Sequence, residues 1–289
     1  MAIVVNTNVA SLIAQRNLTN NSQNLAKSIE RLSSGYRINR ASDDAAGLSI
    51  SENLRGQIRG NQQAINNIQN GINMLQIAEG GLSVINENIQ RIRELCVQAA
   101  NDTNSSVERD AILSEINARL SDIDRISLSS KYNNIGLLDG TASTTLQVGA
   151  GSELSTNTIS IQNSVLSRAT ISVLGYNAST APNGIALSVT GATWTSTAIR
   201  SYLDILDDAL SDVTTRRSNI GAYQNRLESA LNNLDVATEN LQAAESRIRD
   251  LDIAKETSNL TKYQVLQQAS ASVLSQANGL PSVALRLLQ

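Results

Sequence analysis

Asp204, Asp207 and Asp208, together with the thiol of Cys96, are the side chains from which a reactive centre would be built first. Two carboxyl groups can divide general-acid and general-base work when their surroundings hold their pKa values apart. At helical spacing among polar neighbours, however, the three aspartates form one solvated helix face. Cys96 shares an apolar helical register with Ile89 and Ile92, so it reads as a small buried hydrophobe. As the sole cysteine of 289 residues it has no disulfide partner within the chain, and the chain contains no histidine. Histidine-ligated zinc, Ser-His-Asp and Cys-His nucleophilic sites and the H-E-x-x-H metalloprotease motif all require an imidazole. No metal, no cofactor and no enzymatic activity are therefore expected.

The elements that carry these residues are helical. Hydrophobic residues make up 41% of the chain but aromatic ones only 2%, with no phenylalanine and one tryptophan. A core of Leu, Ile, Val and Ala suits long helices packed through narrow aliphatic seams better than a compact enzyme. The 23 basic and 26 acidic residues leave a net charge of -3, without a block of either sign. A nucleic-acid binder would show a basic patch interleaved with aromatic residues, and a membrane-surface helix a Lys/Arg face, so neither partner is expected. No segment reaches the roughly 18 apolar residues of a membrane span. Met1 to Asn8 lacks the basic start and apolar run of a secretory signal, which taken alone predicts a cytoplasmic protein.

Leu18, Leu25, Ile29 and Leu32 line one face of a first helix that should end near Gly35. Ser42-Asp43-Asp44 offers capping side chains for the next start. From Ile58 the pattern becomes long and regular, through Ile65, Ile68, Ile72, Leu75, Leu82, Ile85, Ile89 and Ile92, with a phase slip at Gly80-Gly81. Asn101 to Asn104 permits an antiparallel return, Ser105 to Glu108 forms a capping box, and the following helix presents Ile112, Ile116, Leu120 and Ile123.

From about Leu138 to Ser196 the chain turns rich in Gly, Ser and Thr. Strands are expected at 146–148, 159–161 and 185–189, the last after the turn signal Pro182-Asn183-Gly184. Both prolines are read as lying outside the long helical patterns. Helical periodicity resumes at Leu203, Leu206 and Leu210 and continues through Leu227, Leu231, Leu234, Leu241 and Ile248, a helix of about 75 Å. The final stretch from Leu260 to Leu288, including Leu266 and Leu274, is amphipathic but too polar to hold a helix by itself. Apolar stripes at both chain ends need partners, and a neighbour that completes them through a head-to-tail, non-closing contact generates a filament.

Ser28-Ile29-Glu30-Arg31-Leu32-Ser33-Ser34-Gly35-Tyr36-Arg37-Ile38-Asn39 and Asp43-Asp44-Ala45-Ala46-Gly47-Leu48 closely resemble the N-terminal signature of bacterial flagellins. Asn88 to Gln98, Gln224 to Glu228, Ala244 to Asp250, Val265 to Ala269 and Leu274 to Asn278 are similar to further flagellin motifs, so the resemblance covers about 1–140 and 200–289. It implies a mainly α fold: a long antiparallel coiled-coil or helical-bundle rod formed from both chain ends, with a small β-hairpin-rich centre. Residues 1–44 with 250–289 would form the inner filament core, 45–140 with 200–249 the surrounding rod, and 141–199 the short variable region. The implied function is a self-polymerising filament subunit for motility. It would be exported through the flagellar type III route without a cleaved signal, and so be extracellular.

The resemblance also implies partners: a secretion chaperone, the filament cap, hook-filament junction proteins and host innate immune receptors. Polymerisation seams fall on Leu18, Leu25, Ile29, Leu32, Leu266 and Leu274. Arg91, Leu95, Ile112, Glu115 and Arg119 resemble the positions that meet the vertebrate Toll-like flagellin receptor; Asp43 and Gly47 resemble positions read by the plant flagellin-sensing kinase. Cys96, Tyr36, Ser42 and Gln289 depart from the family's usual residues, the first bearing on redox sensitivity and the next two on plant recognition. A hook-filament junction protein would resemble flagellin at both ends, whereas a cytoplasmic coiled-coil adaptor would share the heptads without the paired motifs.

Overall fold

The computed structural model describes residues 7–140, 144–162, 169–170, 172–174 and 195–287, with side chains described as far as 279. The architecture is mainly α. Helices α1 (Val9–Ser34), α2 (Ala45–Ala99), α3 (Ser106–Ser129), α5 (Ser196–Arg249) and α6 (Ile253–Leu287) account for most of it. The short strands β1 (Lys131–Tyr132), β2 (Ile135–Gly136), β3 (Thr144–Gln147) and β4 (Thr158–Ile161) and the single turn α4 (Leu154–Asn157) complete the described elements. The chain divides into two compact units, one of residues 1–58 with 239–289 and a second of residues 59–238.

The second unit holds the main core. Ion pairs and hydrogen bonds run Arg93 to Asp207 and Gln224 to Glu79, which sets α2 and α5 antiparallel. Arg91 meets Glu115, and Arg119 donates to Asn88, so α3 also returns antiparallel along α2. Ile68, Leu75, Leu82, Ile85, Ile89 and Ile92 of α2 pack there with Ile116 and Ile123 of α3. The α5 contribution is a strict heptad of Ile199, Leu206, Val213, Ile220 and Leu227, all fully buried. Half-buried Leu203, Leu210, Leu231 and Leu234 flank it. Arg216 occupies the same seam, where burial lowers its pKa and Asp212 opposes the shift.

Helix ends follow the chemistry of their sequences. Gly35 closes α1 in the left-handed region (φ 74°), its N–H returning to the Arg31 carbonyl at 2.9 Å, a conformation that penalises any residue with a Cβ. Asp44 caps α2 by accepting the Gly47 N–H at 2.8 Å. Ser105 and Glu108 complete the expected capping box on α3.

One expectation is corrected: Pro281 lies inside a helix, since α6 continues past it to Leu287, whereas α2 runs through Gly80-Gly81 as the long helix expected there. The apparent phase slip has a packing cause, since a Cβ on Gly81 would lie 2.8 Å from Ser130 Oγ and 2.9 Å from Leu138 Cδ1. The missing side chain leaves room for the segment after α3 to approach the helix.

That segment is a hairpin in which Asn133 (φ 45°) and Asn134 (φ 65°) link β1 to β2, the two left-handed positions of a type I′ turn. β3 and β4 pair antiparallel with Leu146 opposite Ile159, where strands were expected at 146–148 and 159–161. The strand expected at 185–189 lies outside the described residues.

Candidate assembly surface

In the first unit α1 lies antiparallel to α6. Asn8 Nδ2 donates to the Ala277 carbonyl at 2.8 Å, Ser11 Oγ to Asn278 Oδ1 at 2.6 Å, and Asn21 Nδ2 to Ser270 Oγ at 2.9 Å. The covered face of α1 alternates Leu18, Leu25 and Leu32 with Ala14, Asn21 and Ser28, and that of α6 repeats Glu256, Tyr263, Ser270 and Ala277 every seven residues. Small and polar side chains at half the seam leave little apolar area to bury. Among the described residues of this unit, the fully covered apolar side chains are Ala14, Ile38 and Ala277.

Large apolar side chains instead turn outward. Val9 is 60% exposed, Leu12 62%, Val265 60% and Val273 57%, with Ile13, Ile29 and Leu266 also open to solvent. At about 3.6 residues per turn, Val9, Leu12 and Ile13 lie across α1 from the Leu18 and Leu25 stripe. Of the residues placed in seams by their spacing, Leu18, Leu25, Leu32 and Leu274 are half-buried, whereas Ile29 and Leu266 are exposed. The opposite apolar face went unread because it keeps no sustained period; Val9 and Leu12-Ile13 on one helix and Val265 and Val273 on the other mark it.

The breaks between α1 and α2 and between α5 and α6 are clasped together. Arg37 N donates to the Arg249 carbonyl at 2.7 Å and Leu251 N to the Gly35 carbonyl at 3.0 Å, around an antiparallel bridge between Tyr36 and Asp250. The Arg249 guanidinium stacks 4.9 Å from the centre of the Tyr36 ring and reaches Glu52 at 2.6 Å. Asp43 pairs with Lys27 at 2.6 Å and accepts the backbone N–H groups of Asn39 and Arg40. The Lys27 hydrogen bond and these N–H groups hold its carboxyl below the ordinary value, against an opposing contribution from burial. Asp43 and Gly47 thus serve the chain break itself, Gly47 being buried over Asp44.

The second unit carries a charged ridge on α2 and α3. Arg91 bridges Glu94 at 2.8 Å and Glu115 at 3.5 Å, and Arg119 lies 3.7 Å from Glu115. Arg91, Glu115 and Arg119 are therefore brought together, Ile112 is half-buried, and Leu95 is only 3% exposed. Cys96 is fully buried, and burial pushes its thiol up to about 12. Asp207 pairs with Arg93 at 2.7 Å, while Asp204 and Asp208 stay exposed, so the three carboxylates do not converge on a site.

Residues 5–143 match the bacterial flagellin N-terminal helical region, and residues 203–288 match the bacterial flagellin C-terminal helical region. The chain belongs to the bacterial flagellin family. It is 42% identical to a flagellin of Halalkalibacterium halodurans over 99% of this chain and 100% of that one. Identity to a flagellin of Bacillus subtilis is 40%, covering 99% of both chains, and to flagellin FlaB1 of Treponema pallidum 41%, covering 96% of both. A putative flagellar hook-associated protein from Vibrio parahaemolyticus shares the fold, with a TM-score of 0.58 at 16% identity over 72% of this chain and 100% of that one. Flagellins are structural proteins rather than enzymes, and this one is a structural subunit of the flagellar filament, which flagellin homologues form outside the cell. Among the described residues no helix is long and apolar enough to cross a membrane.

Proposed function

We propose that the chain polymerises by laying the outward apolar face of its α1–α6 pair against neighbouring copies, with residues 1–44 and 250–289 innermost in the filament. The observation that carries this reading is the inversion of the pair: Val9, Leu12, Val265 and Val273 are exposed while Ser28, Glu256 and Ala277 are covered. An exposed aliphatic face of this kind gains free energy only when another surface removes it from water. The subunit is read as leaving the cell through the flagellar exporter without a cleaved signal, with chaperone, cap and junction proteins as its partners on the way. Electron microscopy after salt-induced polymerisation tests assembly, with a chain lacking residues 250–289 as the control. Long filaments from the intact chain alone are expected. A soluble monomer under every condition would favour a hook-filament junction subunit.

Recognition by a Toll-like flagellin receptor is a second reading, favoured by the exposed ridge of Arg91, Glu115 and Arg119. Ile112 adds partly covered apolar surface, and Leu95 acts from beneath by packing. Receptor ectodomain binding should weaken in Arg91→Ala and persist in Arg125→Ala, whose parent residue pairs with Asp122 on its own helix. Equal affinities would remove the ridge from consideration. Asp43 and Gly47 remain the corresponding proposal for a plant receptor, and a synthetic peptide spanning 28–48 that fails to bind that kinase would dismiss it.

A further inference from the structure

The β3–β4 hairpin of the second unit runs along α2 away from Gly80, with Leu146 seated over Gly71 and Ala150 over Gly60, where the missing side chains make room. Its connecting loop is fastened from within. Gln147 Nε2 donates to the carbonyls of Gly149 and Gly151, both at 2.8 Å. Asn157 accepts the Gly151 N–H at 3.3 Å and donates to the Glu153 carbonyl at 3.1 Å. This framework presents Leu154 to solvent, 73% exposed at the start of α4. Beside it Glu153 is exposed and enters no ion pair among the described residues. Fixing a loop costs backbone entropy, and a leucine held in water returns nothing to the monomer.

A recess that matches it lies on another side of α2. Ile77, Gly80, Gly81 and Val84 stand at i, i+3, i+4 and i+7, the four corners of a hole that a side chain from a facing element can enter. Ile77 and Val84 are 43% and 44% exposed, and a Cβ on Gly80 would meet nothing within 4 Å, so the hole is open and apolar-walled. At about 100° per residue, this face is roughly 130° round the helix from Gly60 and Gly71. Lys131 stands at its edge. It follows Ser130, which closes over Gly81, and precedes Tyr132, whose hydroxyl donates at 3.3 Å to Asn70 Oδ1, one heptad before Ile77. Lys131 is exposed and enters no ion pair among the described residues.

We propose that Leu154 of one copy enters the Ile77–Gly80–Val84 hole of a second copy, with Glu153 of the first paired to Lys131 of the second. The inference rests on the assembly reading above and adds a contact made by the second unit. Shape and charge both match across it: an apolar knob with an acidic neighbour meets an apolar hole with a basic one. A copy cannot fill its own hole, because the twenty residues from Gly60 to Gly80 span about 30 Å of helix. Knob and hole are different patches on different sides of α2, so the contact is heterologous and leaves each copy a free knob and a free hole for the next. It also displaces parallel copies along α2 by roughly 30 Å, an axial step that the aliphatic faces of α1 and α6 do not specify.

The test measures the critical concentration for salt-induced polymerisation of the full chain and its variants. Leu154→Ala removes the knob and Gly80→Leu fills the hole; each should raise that concentration about tenfold, as loss of one buried leucine does. Neither should lower the thermal midpoint of the monomer. Glu153→Lys and Lys131→Glu should each raise the critical concentration about threefold, and the double reversal should restore it, since neighbours then present opposite signs again. A chain carrying both Leu154→Cys and Gly80→Cys, assembled at high concentration and mildly oxidised, should give a ladder of covalent multimers on a denaturing gel. Unchanged polymerisation by Leu154→Ala and Gly80→Leu, or a double reversal no better than the single ones, would overturn the contact. Oxidised filaments that release only monomer would overturn it too, as would a lowered monomer midpoint in Leu154→Ala, which would place that leucine under cover within its own chain. Failure of the unaltered chain to polymerise would instead bring down the assembly reading, and this contact with it.

Discussion

The two compact units bury their apolar residues in opposite directions. In the second, heptads of α2 and α5 converge on a continuous aliphatic core that includes fully buried Leu82, Ile89, Leu206 and Val213. In the first, a helix pair joined by Asn, Ser and Ala keeps Val9, Leu12 and Val265 in solvent. One set of side chains stabilises the subunit and the other is available to stabilise an assembly, although both use the same residue types. Composition therefore says little about where the stabilisation acts; the phase of each residue relative to its partner helix decides it.

The sharpest test sets one leucine against another. Leu82→Ala should cost the soluble chain about 2–5 kcal/mol through the cavity it leaves, read as a large fall in the thermal midpoint. Leu12→Ala should change the stability of the soluble chain by no more than about 0.5 kcal/mol, as exposed substitutions do, yet sharply reduce filament yield. Equal destabilisation by both would break the distinction between the units.

Adjacent glycines sharpen the comparison within the second unit. Gly81→Ala, forced against Ser130 and Leu138, should destabilise by about 1–3 kcal/mol. Gly80→Ala meets nothing within 4 Å and should stabilise by about 0.5–1 kcal/mol through helix propensity. Chemical denaturation of the two variants should give opposite signs. Ser105→Ala removes one half of the α3 capping box and should cost about 1 kcal/mol by the same measurement.

The smallest expected effect belongs to the clasp of the first unit and is read in assembled filaments. Because the folded Asp43 carboxyl is held below its ordinary value, its contribution is present above the unfolded pKa of about 3.9 and is lost as pH falls through the lower folded value. Asp43→Asn should lower filament thermal stability at neutral pH and flatten the decline below about pH 4. An unchanged acid limb would show that the Lys27–Asp43 pair contributes nothing measurable.

Much of this organisation is legible in the residues. Helix α1 ends where Gly35 stops it, α3 begins at the Ser105–Glu108 box, and Leu146 and Ile159 occupy facing strands. The paired terminal motifs identify the family. What the periodicity conceals is direction. Leu18 and Leu12 are both leucines on one helix, and only the position of α6 tells which is covered. The strict α5 heptad passes partly unnoticed because Ile199, Val213 and Ile220 lie among more conspicuous leucines such as Leu203 and Leu210. The β1–β2 hairpin is signalled only by Asn133-Asn134, less emphatic than an Asn-Gly turn. The clasp joins residues more than 200 positions apart, beyond any local pattern.

The burial of Cys96 has a consequence for the lifetime of the polymer. A filament outside the cell meets oxidants, and a solvent-accessible thiolate repeated in every subunit would accumulate sulfenic acid and covalent links between neighbours. A thiol pushed up to about 12 and wholly covered presents almost no thiolate at neutral pH. Iodoacetamide should leave it untouched until the α2 seam opens, so its alkylation rate would time the opening of that helix in an ageing filament.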